Sequence, residues 1–164
     1  MRIEDFNALS VADARAALDP CLGVDRWVDE VESGRPYDDA GALLVQAQAS
    51  AENLTDDELD AALARHPRIG EHPAADDAGA DFSRREQAGV SSDDSTAHAL
   101  HQGNAAYEKR FDRVFLIRAA DRSRAEILAE LTRRLQNDEV AERREVVTQL
   151  REIALRRLGE VVDA

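Results

Sequence analysis

His66 is the side chain whose sequence context best suits proton transfer. It is one of four histidines, and Pro67 follows it at the predicted end of a helix. A helix C-terminus favours a cation, and therefore the protonated imidazole. A proline restricts the local backbone, so the imidazole would be held in a fixed position. A general acid or base needs that placement together with a charge change near neutral pH. A histidine that only caps helix carbonyls is the simpler alternative, and local features alone favour it.

A second pair of histidines has a spacing that could serve a metal ion. His98 and His101 lie three residues apart, on one face of a predicted helix, and Glu71, His72 or Glu86 could complete a ligand set. The sequence holds neither an H-E-x-x-H motif nor a pair of thiolates. Solvated or capping histidines are therefore the better interpretation, and a metal site is the alternative. We expect no metal.

The segment from Ser83 to Gln87 combines a helix start with groups that could bind a polar ring. Ser83 and Glu86 form the S-x-x-E pattern of a capping box, which is the structural interpretation. Gln87 follows, and the predicted helix start faces the long loop that begins at His66. Free backbone amides at such a helix start, next to a glutamine, could also bind a polar ligand.

The last predicted helix places an arginine on its apolar side. Val146, Leu150 and Ile153 form a stripe whose next position is Arg157. The predicted polar face instead carries Gln149, Glu152, Arg156 and Glu160. An unpaired buried guanidinium is costly, so Arg157 should have a protein carboxylate, reach solvent by snorkelling, or bind an anion. Periodicity alone favours a structural role for Arg157 over a ligand anchor.

The elements that must position these side chains are predicted to be helices. Hydrophobic residues make up 43% of the 164, but aromatic residues only 4%. Alanine, leucine, arginine and glutamate are abundant, and these favour helix over sheet. Helix starts are predicted at Ser10, Thr55, Ser83 and Ser123, helices over about 38–53, 94–111 and 138–161, and a short helix from Trp27 to Ser33. We expect one all-α domain over residues 1–164, with seven to nine helices.

Helix ends and several other segments of the chain give further predictions. The first helix is expected to end before Pro20, and the helix after Thr55 near Arg65, because Pro67 disfavours helical geometry at the residue before it. Residues 66–82 are predicted to be a loop. The apolar run 114–117 fits either a buried strand or a short buried helix. The arginine pair 133–134 is predicted to lie on a solvated helix face.

Charge and composition exclude several functional classes. The formal net charge is −13, which argues against a general nucleic-acid binder and against docking on an anionic membrane. The single cysteine, Cys21, excludes an internal disulfide and is expected to be a small core or surface residue. No apolar run approaches membrane-spanning length, and acidic residues near the N-terminus do not suit a signal peptide. Phosphate-binding glycine loops are missing. The expected compartment is the cytoplasm.

Several of these segments, in this order, resemble the 2-oxo-4-hydroxy-4-carboxy-5-ureidoimidazoline (OHCU) decarboxylase family of urate breakdown. The segments are H-P-R-I-G-E at 66–71, Ser83-x-x-Glu86-Gln87-x-Gly89, Asn104-x-x-Tyr107-x-x-Arg110-Phe111, V-F-L-I at 114–117, E-I-L at 126–128, R-L-Q-N at 134–137, Glu142, Ile153 and Arg157-Leu158. The opening Asp5-Phe6-Asn7 also resembles the start of the family. Each motif alone is weak, but the ordered set covers nearly the whole chain and is specific.

The resemblance implies an all-α, cofactor-free and commonly dimeric enzyme that converts OHCU to (S)-allantoin. It implies that His66, Glu86 and Arg157 are catalytic. It also implies substrate contacts at Pro67, Ser83, Gln87 and Ile117, the last through the backbone. The expected partners are a small anionic substrate and a second copy of the chain. The alternatives are an inactive helical interaction module that binds through its arginine-rich last two helices, and a metal-dependent helical enzyme using His98 and His101.

Overall fold

The structure, a computed structural model, describes residues 1–69 and 94–163. Over these residues the chain forms eight α-helices and no strand, which confirms the predicted fold class. The helices are α1 (Ile3–Ala8), α2 (Val11–Leu22), α3 (Asp25–Ser33), α4 (Ala40–Ser50), α5 (Asp56–Ala64), α6 (Asp94–Phe111), α7 (Arg124–Arg134) and α8 (Glu139–Val161). Within the described ranges, no helix is both long and apolar enough to cross a membrane.

The chain divides into two compact units. The first comprises Met1–Ala62 and Leu150–Ala164, and the second comprises Leu63–Gln149. Helices α1 to α4 belong to the first unit, and α6 and α7 to the second. The single domain over residues 1–164 stays a prediction.

The first unit is built on short helices with side-chain caps. The Ser10 hydroxyl accepts the Asp13 backbone N–H at 3.1 Å, and the Asp39 carboxylate accepts the Ala42 N–H at 2.7 Å. Each cap satisfies an amide that a helix start leaves without a partner. The core of this unit centres on Trp27, which is fully buried and donates its indole N–H to the Ala47 carbonyl at 2.9 Å. The predicted helix starts at Ser10, Thr55 and Ser123 are confirmed.

One helix prediction in this unit was wrong in detail, and one helix was missed. Helix α2 continues through Pro20 to Leu22 and ends at Gly23, whose φ of 75° provides the left-handed cap. Pro20 lies in the last turn of α2, where losing one amide donor interrupts little of the helix, and the glycine is the stronger stop. Helix α1 was not predicted, because its six residues are too few to show a helical apolar period.

Glu58 links helix α3 to the start of α5 and gives the first testable prediction. Its carboxylate accepts the Thr55 backbone N–H at 2.8 Å, and the Arg26 guanidinium donates to it at 2.7 and 3.1 Å. Those arginine hydrogen bonds hold the pKa of Glu58 below its ordinary value. A depressed carboxyl pKa stabilises the folded state above the unfolded pKa of about 4.3, and that contribution is lost as pH falls through the folded pKa.

We therefore expect Glu58→Gln to lower the free energy of unfolding by about 0.5–1 kcal/mol at pH 7 and by progressively less below pH ~4. Urea unfolding of both proteins across that range measures the difference. Glu52→Gln, at an exposed carboxylate beyond the end of α4, is the matched control and should change little at any pH. A gap between wild type and Glu58→Gln that stays constant down to pH ~2.5 would contradict the expectation.

The second unit has an aromatic and aliphatic core between α6, α7 and the segment that joins them. The Tyr107 ring packs on Phe111 at 4.7 Å and on Phe115 at 5.2 Å between centroids. Ile127 and Leu131 of α7 are fully buried in the same cluster. The capping box at Ser123 and Glu126 starts α7, as predicted.

The apolar run 114–117 is neither strand nor helix. Phe115, Leu116 and Ile117 are buried, but the backbone of this segment joins no ladder among the residues that the structure describes. Both sequence-based alternatives were therefore wrong. Side chains hold this backbone in place, which an apolar periodicity cannot reveal.

Candidate active site

His66 lies in the second unit, just after α5 ends. Its backbone N–H donates to the Leu63 carbonyl at 3.0 Å, which closes the last turn. Pro67 follows, and the helix ends at Ala64, one residue before the position predicted from the proline rule. The residue is only 8% exposed. A buried imidazole on a proline-restricted backbone has the fixed position that acid–base chemistry needs.

The residues after His66 are attached to helix α6 at two points. The Arg68 guanidinium forms an ion pair with Glu108, with an Nη2–Oε2 distance of 2.7 Å. The Asn104 side-chain amide donates to the Ile69 carbonyl at 3.3 Å. The Arg68 hydrogen bonds also hold the pKa of Glu108 below its ordinary value, so this carboxylate stays charged over a wide pH range. Helix α6 thereby fixes the backbone that carries His66 and Pro67.

A cavity of about 320 Å³ lies beside this attachment. The residues described as lining it are Arg68, Ile69, Ala97, Leu100, His101, Asn104, Ala105, Glu108 and Arg124. Its volume is at the lower end of the range for small-molecule sites. Neither His66 nor Ile117 is among these lining residues, so the cavity does not by itself define the catalytic site.

Ile117 lies in the irregular segment between α6 and α7, and side chains hold the peptides on both sides of it. Arg134 donates to the Leu116 carbonyl at 2.7 Å. The Gln149 amide oxygen accepts the Arg118 backbone N–H at 2.8 Å. The residue itself is 3% exposed. The backbone at Ile117 is thus fixed by two side chains remote in sequence.

A buried ion pair with Glu142 holds Arg134, the side chain that binds the segment at Leu116. Arg134 is 1% exposed and Glu142 is fully buried, and the guanidinium donates to Glu142 Oε1 from Nε at 2.9 Å and from Nη2 at 2.5 Å. The Tyr107 hydroxyl donates to the same carboxylate oxygen, and Asn137 Nδ2 donates to the other at 2.8 Å. Burial, and secondarily the bond to Glu142, raises the pKa of Tyr107. The phenol therefore stays protonated and acts as a donor.

This ion pair corrects the prediction that the arginine pair 133–134 is solvated. Arg133 is indeed exposed and pairs with Glu130 and Glu145. Arg134 instead points inward, with its guanidinium 4.8 Å from the Phe115 ring centroid. The Arg134 side chain can be buried because Glu142 neutralises it and the aromatic face accepts the cation.

Gln149 is the second residue whose environment was predicted wrongly. It was placed on the polar face of the last helix, but it is only 9% exposed. The signal was present in the sequence, since Gln149 is three residues after Val146 and four before Ile153. Both of those are buried stripe positions, so Gln149 lies at the edge of the same face.

Arg157 lies in the first unit and is buried, as the apolar stripe predicts. It is 2% exposed and its Nη1 donates to the Pro20 carbonyl at 3.2 Å. The neighbouring Arg156 side chain is 41% exposed and lies 3.8 Å from Glu160, one turn further along the helix. Of the two arginines, Arg157 is therefore the one held in a defined protein environment.

Cys21 is buried in the same unit, which fits the core interpretation. Burial raises the pKa of its thiol to about 12, although the charge of Arg157 acts in the opposite direction. The thiol is protonated at neutral pH, and a protonated thiol is a poor nucleophile.

Ser83, Glu86 and Gln87 lie outside the residues that the structure describes, and so do Glu71 and His72. That His66, Glu86 and Arg157 act together stays a prediction. His98 is exposed, with its Nε2 3.0 Å from the amide nitrogen of Gln102. No group of three or more potential metal ligands occurs in ranges 1–69 and 94–163.

Comparison with known proteins gives a consistent family assignment. Residues 7–159 match the sequence model of the OHCU decarboxylase family. A curated relative, the uric acid degradation bifunctional protein of Bacillus sp. (strain TB-90), is 26% identical over 166 aligned positions. The alignment covers 98% of this chain and 32% of the relative, so the chain spans about a third of the length of that protein.

Two solved structures share the fold. A crystal structure of OHCU decarboxylase in the presence of (S)-allantoin has a TM-score of 0.76 and 21% identity, over 91% of this chain and 99% of that one. A crystal structure of (S)-allantoin synthase has a TM-score of 0.75 and 16% identity, over 99% of this chain and 55% of that one. At these identities the likeness shows the fold.

Proposed function

Because the chain belongs to the OHCU decarboxylase family, we propose that it converts OHCU to (S)-allantoin and carbon dioxide without a cofactor. The observation that carries the proposal is His66, a buried histidine in the matched region whose following residues are tied to helix α6. Acid–base catalysis on a small substrate needs such a residue. The relative named for uric acid degradation supports the same metabolic setting.

The chemistry assigns a role to each proposed residue. When the bond between the ring carbon and the carboxylate breaks, its electron pair stays on the ring carbon and is delocalised into neighbouring C=O or C=N groups. The adjacent ring carbon, which bears the ureido group, takes up a proton while the hydroxyl-bearing carbon becomes a carbonyl of allantoin, and His66 moves that proton. Glu86 orients ring or ureido N–H groups and favours the charged form of His66. Arg157 binds oxygen atoms and stabilises the developing negative charge.

The net charge of the protein makes a local cation necessary. At a formal charge of −13 the field of the whole protein repels an anionic substrate. A guanidinium held in a fixed position offsets this repulsion at the site itself and can bind a carboxylate with two parallel hydrogen bonds. We propose Arg157 for that role because its side chain is buried and positioned, whereas Arg156 faces solvent.

We expect Arg157→Ala to lower kcat/KM for OHCU by about 10²-fold, because it removes a preorganised cation from the developing charge. Arg157→Lys should lie between wild type and alanine, since lysine keeps the charge without the planar fork. Arg156→Ala is the matched control, on the adjacent residue of α8, and should stay within about twofold of wild type. Thermal unfolding of each variant separates lost activity from lost folding. If Arg156→Ala were the more damaged, the arginine assignment would be wrong.

The function itself is tested by generating OHCU from urate in the cuvette. Spontaneous decay of OHCU gives racemic allantoin, so ultraviolet absorbance reports the rate and optical rotation reports the stereochemistry. With the purified protein we expect faster loss of OHCU and a growing optical rotation from (S)-allantoin. Unchanged decay and a racemic product would exclude the activity and favour the interaction-module alternative.

We further propose that the protein works in the cytoplasm as a homodimer. The matched family is commonly dimeric. The proposed partners are a second copy of the chain and a small anionic substrate, and neither a nucleic acid nor a membrane is proposed. Light scattering coupled to size-exclusion chromatography tests the dimer directly. A mass of 18.1 kDa, that of one chain, at micromolar concentration would exclude it.

A further inference from the structure

The backbone of Ile117 offers a donor and an acceptor that no residue in the described part of the chain uses. Neither its N–H nor its C=O hydrogen-bonds to any residue in the described ranges, although the residue is 3% exposed. The great majority of backbone groups in buried residues have partners, so each exception needs a physical explanation. Two such groups on one buried residue, without a partner among the described residues, are available to a ligand.

Two peptide groups flank Ile117, and side chains of the protein form hydrogen bonds to the opposite edge of each. The peptide that carries the Ile117 N–H has the Leu116 carbonyl at its other edge, and Arg134 donates to that carbonyl at 2.7 Å. The peptide that carries the Ile117 C=O has the Arg118 N–H at its other edge, and Gln149 accepts it at 2.8 Å. A peptide group is planar, so holding one edge sets the direction of the other.

The two holding side chains are themselves built into the protein. Gln149 is 9% exposed and Arg134 is 1% exposed, and Arg134 is fixed by Glu142. A cation on the Leu116 carbonyl also polarises that peptide, which makes the Ile117 N–H a stronger donor. Both peptides are therefore oriented, and one is activated, before any ligand arrives.

We propose that Gln149 and Arg134 are positioning residues that hold the N–H and C=O of Ile117 ready for an amide or ureide edge of the substrate. Such an edge presents a C=O acceptor beside an N–H donor, which complements this pair. The inference rests on the proposed function for the identity of the substrate. It assigns Gln149 no contact with the substrate, since its amide oxygen is occupied by Arg118.

Gln149 is the residue to test, because removing Arg134 would break a buried ion pair. Gln149→Met keeps the length of the side chain but removes the acceptor, and Gln149→Glu keeps an acceptor oxygen in either protonation state. The Ile117 groups bind substrate and transition state alike, so we expect Gln149→Met to raise KM about tenfold with kcat within about threefold. Gln149→Glu should restore KM to within about threefold of wild type. Gln136→Met, at an exposed glutamine, is the control and should leave both constants unchanged.

A second measurement does not depend on turnover. In 15N-labelled wild-type protein, titration with (S)-allantoin should shift the Ile117 amide signal, and Gln149→Met should lose most of that shift while its Arg118 amide exchanges faster. If wild type shows this shift but does not process OHCU, the proposed function fails and the positioning role stands. A wild-type Ile117 signal that ignores allantoin, or equal KM values for Gln149→Met and wild type, would overturn the positioning role.

Discussion

Replacing His66 with alanine should lower the enzymatic rate of OHCU decarboxylation by about 10³-fold, the usual contribution of a positioned general acid or base. The allantoin that still forms should come mainly from spontaneous decay and should therefore be racemic. The loss of optical rotation is the sharper measurement, because it reports the protonation step separately from background decay. Absorbance and rotation recorded on the same sample give both quantities.

Two further variants keep this result interpretable. His66 is buried, so alanine leaves a space beside α5, and we expect some loss of stability. His66→Asn fills more of that space without providing a group that titrates near neutral pH, and it should be as inactive as alanine. His101→Ala, at an exposed histidine of α6, should keep wild-type rate and stereochemistry. Near-normal turnover in either His66 variant would remove the proposed catalytic role.

The parts of the fold that depend on short-range chemistry could be predicted from the sequence. The hydroxyl caps at Ser10, Thr55 and Ser123 each join groups three residues apart, so the pattern itself contains the interaction. The end of α5 near His66 follows from Pro67 for the same reason. Burial of Arg157 followed from helical periodicity, which is also a local property.

The errors arose where distant residues decide the local structure. Segment 114–117 is held by Arg134 and by Gln149, which lies 31 residues beyond Arg118. No short stretch of the sequence contains this segment together with Arg134 and Gln149. Neither the backbone conformation of the segment nor the burial of these two side chains could therefore be predicted. The pairing of Tyr107 with Glu142, 35 residues apart, is another such case.

The candidate site divides in the same way. His66 was singled out by its own neighbours, because a helix end and a proline both lie beside it. The attachments that fix the following residues, through Asn104 and Glu108, became visible only in the structure. Glu86 and Arg157 could be assigned catalytic roles only through the ordered resemblance to a family, since the local pattern around Glu86 also fits a purely structural capping box.

The ion pair between Arg134 and Glu142 should give the largest effect on stability in the second unit. Glu142→Ala leaves the guanidinium buried with its main anionic partner removed, and it also removes the acceptor of the Tyr107 and Asn137 donors. Breaking a buried pair at one partner typically costs about 3–5 kcal/mol, a large share of the total stability of a protein of this size. We expect a loss of that size in the free energy of unfolding measured with urea.

The comparison that tests the cause is Glu145→Ala, three residues further along α8. Glu145 also pairs with an arginine of α7, Arg133, at 2.8 Å, but the Arg133 side chain is 49% exposed. Its loss should cost at most about 1 kcal/mol, because solvent screens the pair and hydrates the remaining cation. Glu142→Gln keeps an acceptor oxygen and should lie between the two. Equal losses for Glu142→Ala and Glu145→Ala would mean that burial does not govern these pairs. A clear difference would show that Arg134, which holds the backbone next to Ile117, depends on the buried Glu142 carboxylate, because water cannot reach the guanidinium to replace it.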